Sequence, residues 1–123
     1  MISGSKVIGF IPIQNAERAL SFYRDVLGLQ FVSDDSFAIV MESNGTMIRL
    51  VRMEKFTPAP YTILGWQVQD IEHAVKELAD KGLLFQRYSS LQQNKDGIWT
   101  APGDAKVAWF HDPDGNILSL SQH

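Results

Sequence analysis

The chain closes on Phe110-His111-Asp112-Pro113-Asp114-Gly115-Asn116-Ile117-Leu118-Ser119-Leu120, and the reading of this stretch decides the fold. Pro113 presets a turn-compatible φ and Gly115 can supply a positive one, so Asp112–Gly115 reads as a tight turn. The apolar residues on either side belong to β-structure. Lys106 to Phe110 leads into the turn and Asn116 to Ser121 returns from it. Side chains alternate along a strand, so Ser119 points opposite to Leu118 and Leu120.

Outward from this hairpin, the same succession of elements occurs twice. In the second half, Tyr61 to Val68 reads as a strand. Asp70 caps a helix with Ile71, Ala74, Val75 and Leu78 on its apolar face, Gly82 ends it, and Leu84 to Arg87 reads as a strand. In the first half, Val7 to Ile13 is a strand. Asn15 caps a helix carrying Ala16, Ala19, Leu20, Tyr23 and Leu27, and Gly28 ends it. Leu29 to Val32 and Phe37 to Met41 are strands, and Asn44-Gly45 is a hairpin turn into Met47 to Met53. The two caps lie 55 residues apart, and Ala19 and Ala74 keep that offset.

The fold class is therefore α+β, with two tandem βαβββ modules. Module one covers about residues 5–53, module two covers 61–121, and a proline-containing linker, 54–60, joins them. From the helix cap to the matched last-strand position, module two (70–119) is longer than module one (15–49) by 15 residues, which fall around Tyr88 to Pro102, a polar and turn-rich loop. Loops of that length in compact domains are often functional. Each module has under about 60 residues and one helix, too little to bury a sufficient core alone, so the halves are expected to pair, within the chain or across a dimer.

Composition excludes several classes of function. Of the 123 residues, 45% are hydrophobic and 20% charged, and the net charge is −3. With a pI of about 5.5, the chain lacks the basic field that nucleic acid binding needs. No apolar run approaches the ~20 residues of a membrane span, and Met1 to Lys6 lacks the apolar segment of a signal peptide, so a cytoplasmic protein without membrane partners is expected. There are no cysteines, which excludes disulfides, thiolate metal ligands and cysteine nucleophiles.

Two stretches, Glu17-Arg18-Ala19-Leu20-Ser21-Phe22-Tyr23-Arg24-Asp25-Val26-Leu27-Gly28-Leu29 and Phe110 to Asn116, together with the repeat, resemble the vicinal oxygen chelate superfamily. Its members include glyoxalase I, extradiol dioxygenases, and bleomycin- and fosfomycin-resistance proteins. The resemblance implies a cup-shaped mixed sheet with helices on the outside, assembled as a homodimer. It also implies where a divalent metal would be held: one residue on the first strand and one on the last strand of each module. Those positions fall at Ile8 and Arg49 in module one and at Ile63 and Ser119 in module two. Isoleucine has no lone pair to donate, arginine carries a fixed positive charge, and serine alone is a weak neutral ligand. A slip of one residue, to Val7, Gly9, Thr62 or Leu64, supplies no better donor. No metal and no cofactor are expected at this place.

Strand parity assigns Ile8, Phe10, Pro12, Met47, Arg49, Val51, Tyr61, Ile63, Gly65, Gln67, Ile117, Ser119 and Ser121 to the face that would line the cup. Aromatic bodies with a few polar heads suit a small-molecule pocket, and equally a wet dimer interface. The candidate ligand-binding residues are Arg49, Trp99, Trp109, Tyr61, Phe10, Gln67 and Ser119. Arg49 either anchors an anionic ligand, pairs with an internal acid such as Glu42 or Asp34, or is exposed. Trp99 either stacks on a ligand or pins the long loop to the body. Trp109 and Phe110 alternate, so one ring lies under a helix and the other on the open face. His73 and His111 read as surface residues. No Ser-His-acid motif and no phosphate loop is present, so no catalytic residue is assigned.

The leading expectation is a metal-independent small-molecule-binding protein, its ligand planar or anionic. The alternative is a divalent-metal-dependent lyase, isomerase or dioxygenase with a non-standard site.

Overall fold

The computed structural model describes all residues, Met1–His123, in two units, Met1–Thr57 and Pro58–His123.

In the first unit, strand β1 (Ile8–Ile13) is followed by helix α1 (Ala16–Ser21) and strands β2 (Gln30–Asp34), β3 (Ala38–Ser43) and β4 (Thr46–Arg52). The sheet order is β1-β4-β3-β2, with β1 parallel to β4 and the remaining pairs antiparallel. Asn15 caps α1, its side chain accepting from Arg18 N at 3.1 Å. The predicted helix is not α-helical throughout. After Ser21 it widens into a π turn over Phe22–Val26, closed by Leu27 N on Phe22 O at 3.0 Å. The wider turn lets Tyr23 bury fully and meet Phe22 edge-on at 5.3 Å. Asn44 and Gly45 both take positive φ, 45° and 87°, as a two-residue hairpin with the twist of its strands requires. Ile11, Ile48, Leu50, Ile39 and Met41 share one sheet face and are buried.

In the second unit, strand β5 (Thr62–Gln67) precedes helix α2 (Ile71–Asp80), then strands β6 (Trp99–Thr100), β7 (Lys106–His111) and β8 (Ile117–Gln122). The order β5-β8-β7-β6 repeats that of the first unit, again with a parallel first pair. Asp70 caps α2 through His73 N at 3.1 Å, and Gln122 Oε1 accepts from Ile71 N at 2.9 Å, tying the helix start to β8. Helix α2 packs on β7 and β8. Phe110, Leu118 and Leu120 are buried on that side, each stabilising the unit by about 1.5–3 kcal/mol. The closing turn is held by Asp112, whose Oδ1 accepts from Asp114 N and Asn116 N, both at 2.9 Å, while Oδ2 accepts from Asn116 Nδ2 at 2.8 Å.

Two expectations need correction here. Leu84 to Arg87 is not a strand. Phe85 makes a single bridge to Phe110, and Gln86 N donates to Trp109 O at 2.8 Å. The fourth place in the sheet goes to Trp99–Thr100 from the long loop. Second, β5 carries a bulge between Thr62 and Leu64: Thr62 pairs with Ile117 and Leu64 with Leu118, leaving Ile63 as the extra residue. A bulge reverses the facing of everything on its far side. Thr62, not Ile63, therefore stands opposite Ile117, and Tyr61 lies outside the strand with 66% of its surface exposed.

No helix is long and apolar enough to cross a membrane.

Candidate ligand-binding site

The β5-β8-β7 ladder of the second unit sets three rungs on the face opposite its core. Gly65, Ser119 and Trp109 form the middle rung. Gln67 and Ser121 continue to Val107 and then Trp99 on one side, and Thr62, Ile117 and His111 form the rung on the other. Trp109 is thus the ring on the open face and Phe110 the one under the helix, as alternation requires. The Trp109 indole donates from Nε1 to Thr62 Oγ1 at 3.2 Å. Tyr88 meets it edge-on, with centroids 5.5 Å apart and planes at 88°. Trp99 lies 6.0 Å away, tilted by 35°. These three rings are half-buried, and Trp109 is the cross-strand neighbour of Ser119, whose hydroxyl lies close to Gly65.

The long loop holds two of these rings by means of its own side chains. Gln93 Nε2 donates to Gln86 O at 2.9 Å and to Gly97 O at 2.8 Å, while its Oε1 accepts from Tyr88 N at 2.8 Å. Arg87 Nη2 donates to Asn94 O at 2.6 Å and Lys95 O at 2.7 Å. Asn94 Oδ1 accepts from Asp96 N and Ile98 N, both at 2.9 Å. Ile98 is buried, and the backbone at Trp99 then joins β7. The segment from Tyr88 to Trp99 is therefore an ordered wall beside the sheet.

The corresponding rung of the first unit is Phe10, Arg49 and Val40. Phe10 is 64% exposed. Arg49 Nη2 donates to Asp35 Oδ2 at 2.7 Å. The partner is Asp35, not the expected Glu42 or Asp34. Asp34 instead takes Arg52 bidentately, at 2.8 and 2.7 Å. Arg49 and Arg52 point to opposite faces of β4, and the successive acids Asp34 and Asp35 follow them. Asp35 Oδ1 also accepts from Phe37 N at 3.1 Å and Ala38 N at 2.8 Å, which fixes the carboxylate before it meets Arg49. Arg49 and then the Ala38 and Phe37 amides hold the Asp35 carboxyl below its usual range. Asp34 is lowered likewise, by Arg52 and the Ser36 amide.

The positions at which the resemblance would place a metal are, by ladder register, Ile8, Arg49, Thr62 and Ser119. The bulge moves the third from Ile63 to Thr62, and the donor set is no better for it: two neutral hydroxyls, one guanidinium and no carboxylate or imidazole. No group of three or more His, Asp or Glu side chains that could hold a metal ion occurs in the chain. These residues do not fit a divalent cation.

Of the seven expected site residues, Trp99, Trp109, Gln67 and Ser119 share one face of the second unit, and Phe10 and Arg49 are neighbours on the first. Tyr61 joins neither ladder. Sequence reasoning missed Tyr88, Thr62 and Gln93. A glutamine inside a polar loop carries no mark of the bonds it makes, and Thr62 was concealed by the bulge.

The sequence model of the glyoxalase/bleomycin resistance protein/dioxygenase superfamily matches residues 7–120. No curated protein matches the chain in sequence. Among solved structures, a member of this superfamily from Sphaerobacter thermophilus is 25% identical, with a TM-score of 0.75 over 96% of each chain. A lactoylglutathione lyase from Agrobacterium tumefaciens is 14% identical, with a TM-score of 0.73 over 96% of this chain and 93% of that one. An antibiotic-binding protein from Streptomyces is 20% identical, with a TM-score of 0.70 over 95% and 93%.

Proposed function

This chain belongs to the glyoxalase/bleomycin resistance protein/dioxygenase superfamily, and we propose that it binds a planar small molecule without a metal ion. The observation that carries this reading is the Tyr88–Trp99–Trp109 cluster beside the Ser119 hydroxyl. Aromatic walls with a few fixed polar groups are the usual composition of a small-molecule site. The likeness in fold to an antibiotic-binding protein supports the reading. The likeness to a lactoylglutathione lyase belongs to the alternative, a metal-dependent enzyme, which the donor set does not favour. An anionic ligand loses support, because Asp35 already neutralises Arg49.

The proposal includes a homodimer. On the first unit, Val7, Ile8, Val32, Val40 and Met47 line a groove of about 320 Å³; Val7 is 75% exposed, and Phe10, on β1, is 64% exposed. Apolar surface of this kind favours a covering partner. Light scattering is expected to give twice the chain mass of 13.8 kDa.

A panel of planar aromatic compounds titrated against tryptophan fluorescence tests the binding. Saturable quenching is expected for at least one compound, with affinity at least ~10-fold weaker in Trp99→Ala. Metal analysis of the purified protein belongs to the same test. One tightly bound divalent ion per chain, or binding indifferent to Trp99→Ala and Trp109→Phe alike, would overturn the reading.

A further inference from the structure

A second hollow lies in the second unit, between the last turns of α2 and the segment Lys95–Gly97, with a volume of about 260 Å³. Its apolar floor is formed by Val75, Leu83 and Phe85, and its lining carries three cations, Lys76, Arg87 and Lys95. None of the three makes an ion pair with a carboxylate. Asp96 is the sole acid in the lining, so the hollow carries a net charge of +2 within one small concavity.

Two features make this more than a scatter of surface lysines. First, Arg87 is held in place: Nη2 bonds the carbonyls of Asn94 and Lys95, and these neutral acceptors fix the guanidinium without cancelling its charge. Second, the end of α2 does not present bare carbonyls. Leu78 O accepts from Lys81 N and Leu83 N, and Ala79 O accepts from Gly82 N. The negative end of the helix, about half an elementary charge, is smaller than the excess of cations and has its hydrogen bonds satisfied.

An apolar floor under a ring of cations matches a molecule with the same division. A cavity of about 150 Å³ accepts benzene, so the hollow has room for a short alkyl chain or a single ring with an acidic head. We infer that this hollow is a binding site for a small amphipathic anion, its tail on Val75, Leu83 and Phe85 and its head group among Lys76, Arg87 and Lys95. The site is separate from the aromatic face and does not depend on the function proposed for it.

Octanoate, with 1-octanol as its uncharged counterpart, is the probe. Backbone amide NMR shifts of Lys95, Asp96 and Gly97 are followed on titration into the full chain. Saturable shifts at these residues are expected with octanoate, with 1-octanol at least 10-fold weaker. The charge-removing pair Lys76→Gln/Lys95→Gln is expected to weaken octanoate at least 10-fold and to leave the thermal midpoint unchanged, since neither lysine side chain holds a structural contact and the Lys95 carbonyl that binds Arg87 is kept. Added KCl is expected to weaken octanoate and not 1-octanol. Equal binding of the two probes, an unaffected double variant, or shifts confined to the Trp99–Trp109 face would overturn the inference.

Discussion

Gly65 faces Ser119 across the β5–β8 ladder so closely that a β-carbon at 65 would stand 2.5 Å from the Ser119 hydroxyl. The absence of a side chain at 65 is what lets Ser119 keep its place beside Trp109. Gly65→Ala is expected to destabilise the protein by about 1–3 kcal/mol through overpacking. Gly65→Ala/Ser119→Gly should recover most of that loss. Urea unfolding of the four proteins of this cycle measures the coupling, and additive effects would show that the two sites do not press on one another.

The indole of Trp109 is oriented by Thr62. Thr62→Val keeps the shape and removes the acceptor, and should cost about 0.5–1.5 kcal/mol. Trp109→Phe also loses the bond, so the double variant should fall short of the sum of the two. Near-ultraviolet circular dichroism should report a loosened ring in Thr62→Val, because the Trp99–Trp109 pair lies within coupling distance.

The acid limb of stability should trace to the two arginine pairs. Asp34 and Asp35 are both held below the ordinary carboxylate range, by Arg52 and Arg49 respectively. A lowered folded-state pKa means that the folded protein prefers the ionised form. The resulting stability is present in full above the unfolded value near 4, and it is lost as pH falls through the folded values. The urea midpoint is expected to be flat from pH 7 to about 5 and to decline below about 4. Asp34→Asn/Asp35→Asn should lie lower at pH 7 and show a shallower decline. An unchanged acid slope in that variant would place the sensitivity elsewhere, Asp25 beside Arg24 being the next candidate.

The closing turn should tolerate substitution poorly. Gly115 has φ +89°, and a β-carbon there would lie 3.3 Å from Pro58 Cγ. Gly115→Ala is expected to cost about 1–2 kcal/mol from the left-handed backbone alone. Asp112→Ala removes the acceptor of three hydrogen bonds in a buried turn. It should cost more, about 2–4 kcal/mol, since two amides and a carboxamide lose their partner. Thermal unfolding ranks the two, and the reverse order would show that backbone conformation outweighs the bonds.

Much of the fold was legible because it rests on local rules applied twice. Asn15 and Asp70 cap their helices through the third residue on, as their type and place predict. Gly28, Gly45, Gly82 and Gly115 all take positive φ at the ends and turns where the sequence puts them. What could not be read involved counting or long-range choice. The Ile63 bulge adds a residue within β5 without altering the hydrophobic pattern, so counting back from the cap lands on Ile63 instead of Thr62, while Gly65 and Gln67 keep the expected face. Phe85 and Gln86 meet β7 only at Phe110 and Trp109, while Trp99–Thr100 pairs farther along the same edge with Val107 and Lys106, and nothing local to either segment records that division. Of the three roles open to Arg49, the internal ion pair is the one formed, with Asp35 in place of Glu42 or Asp34. Successive residues of an extended chain turn to opposite sides, so Asp35 meets Arg49 while Asp34 meets Arg52.

The bonds that Gln93 and Arg87 make along the loop bear on the kinetics of any encounter at Trp99. A segment already fixed by its own carbonyls and amides has no opening step to wait for. The observed rate of approach to equilibrium should then rise in proportion to ligand concentration without reaching a plateau, and discrimination among ligands should reside in how fast each departs.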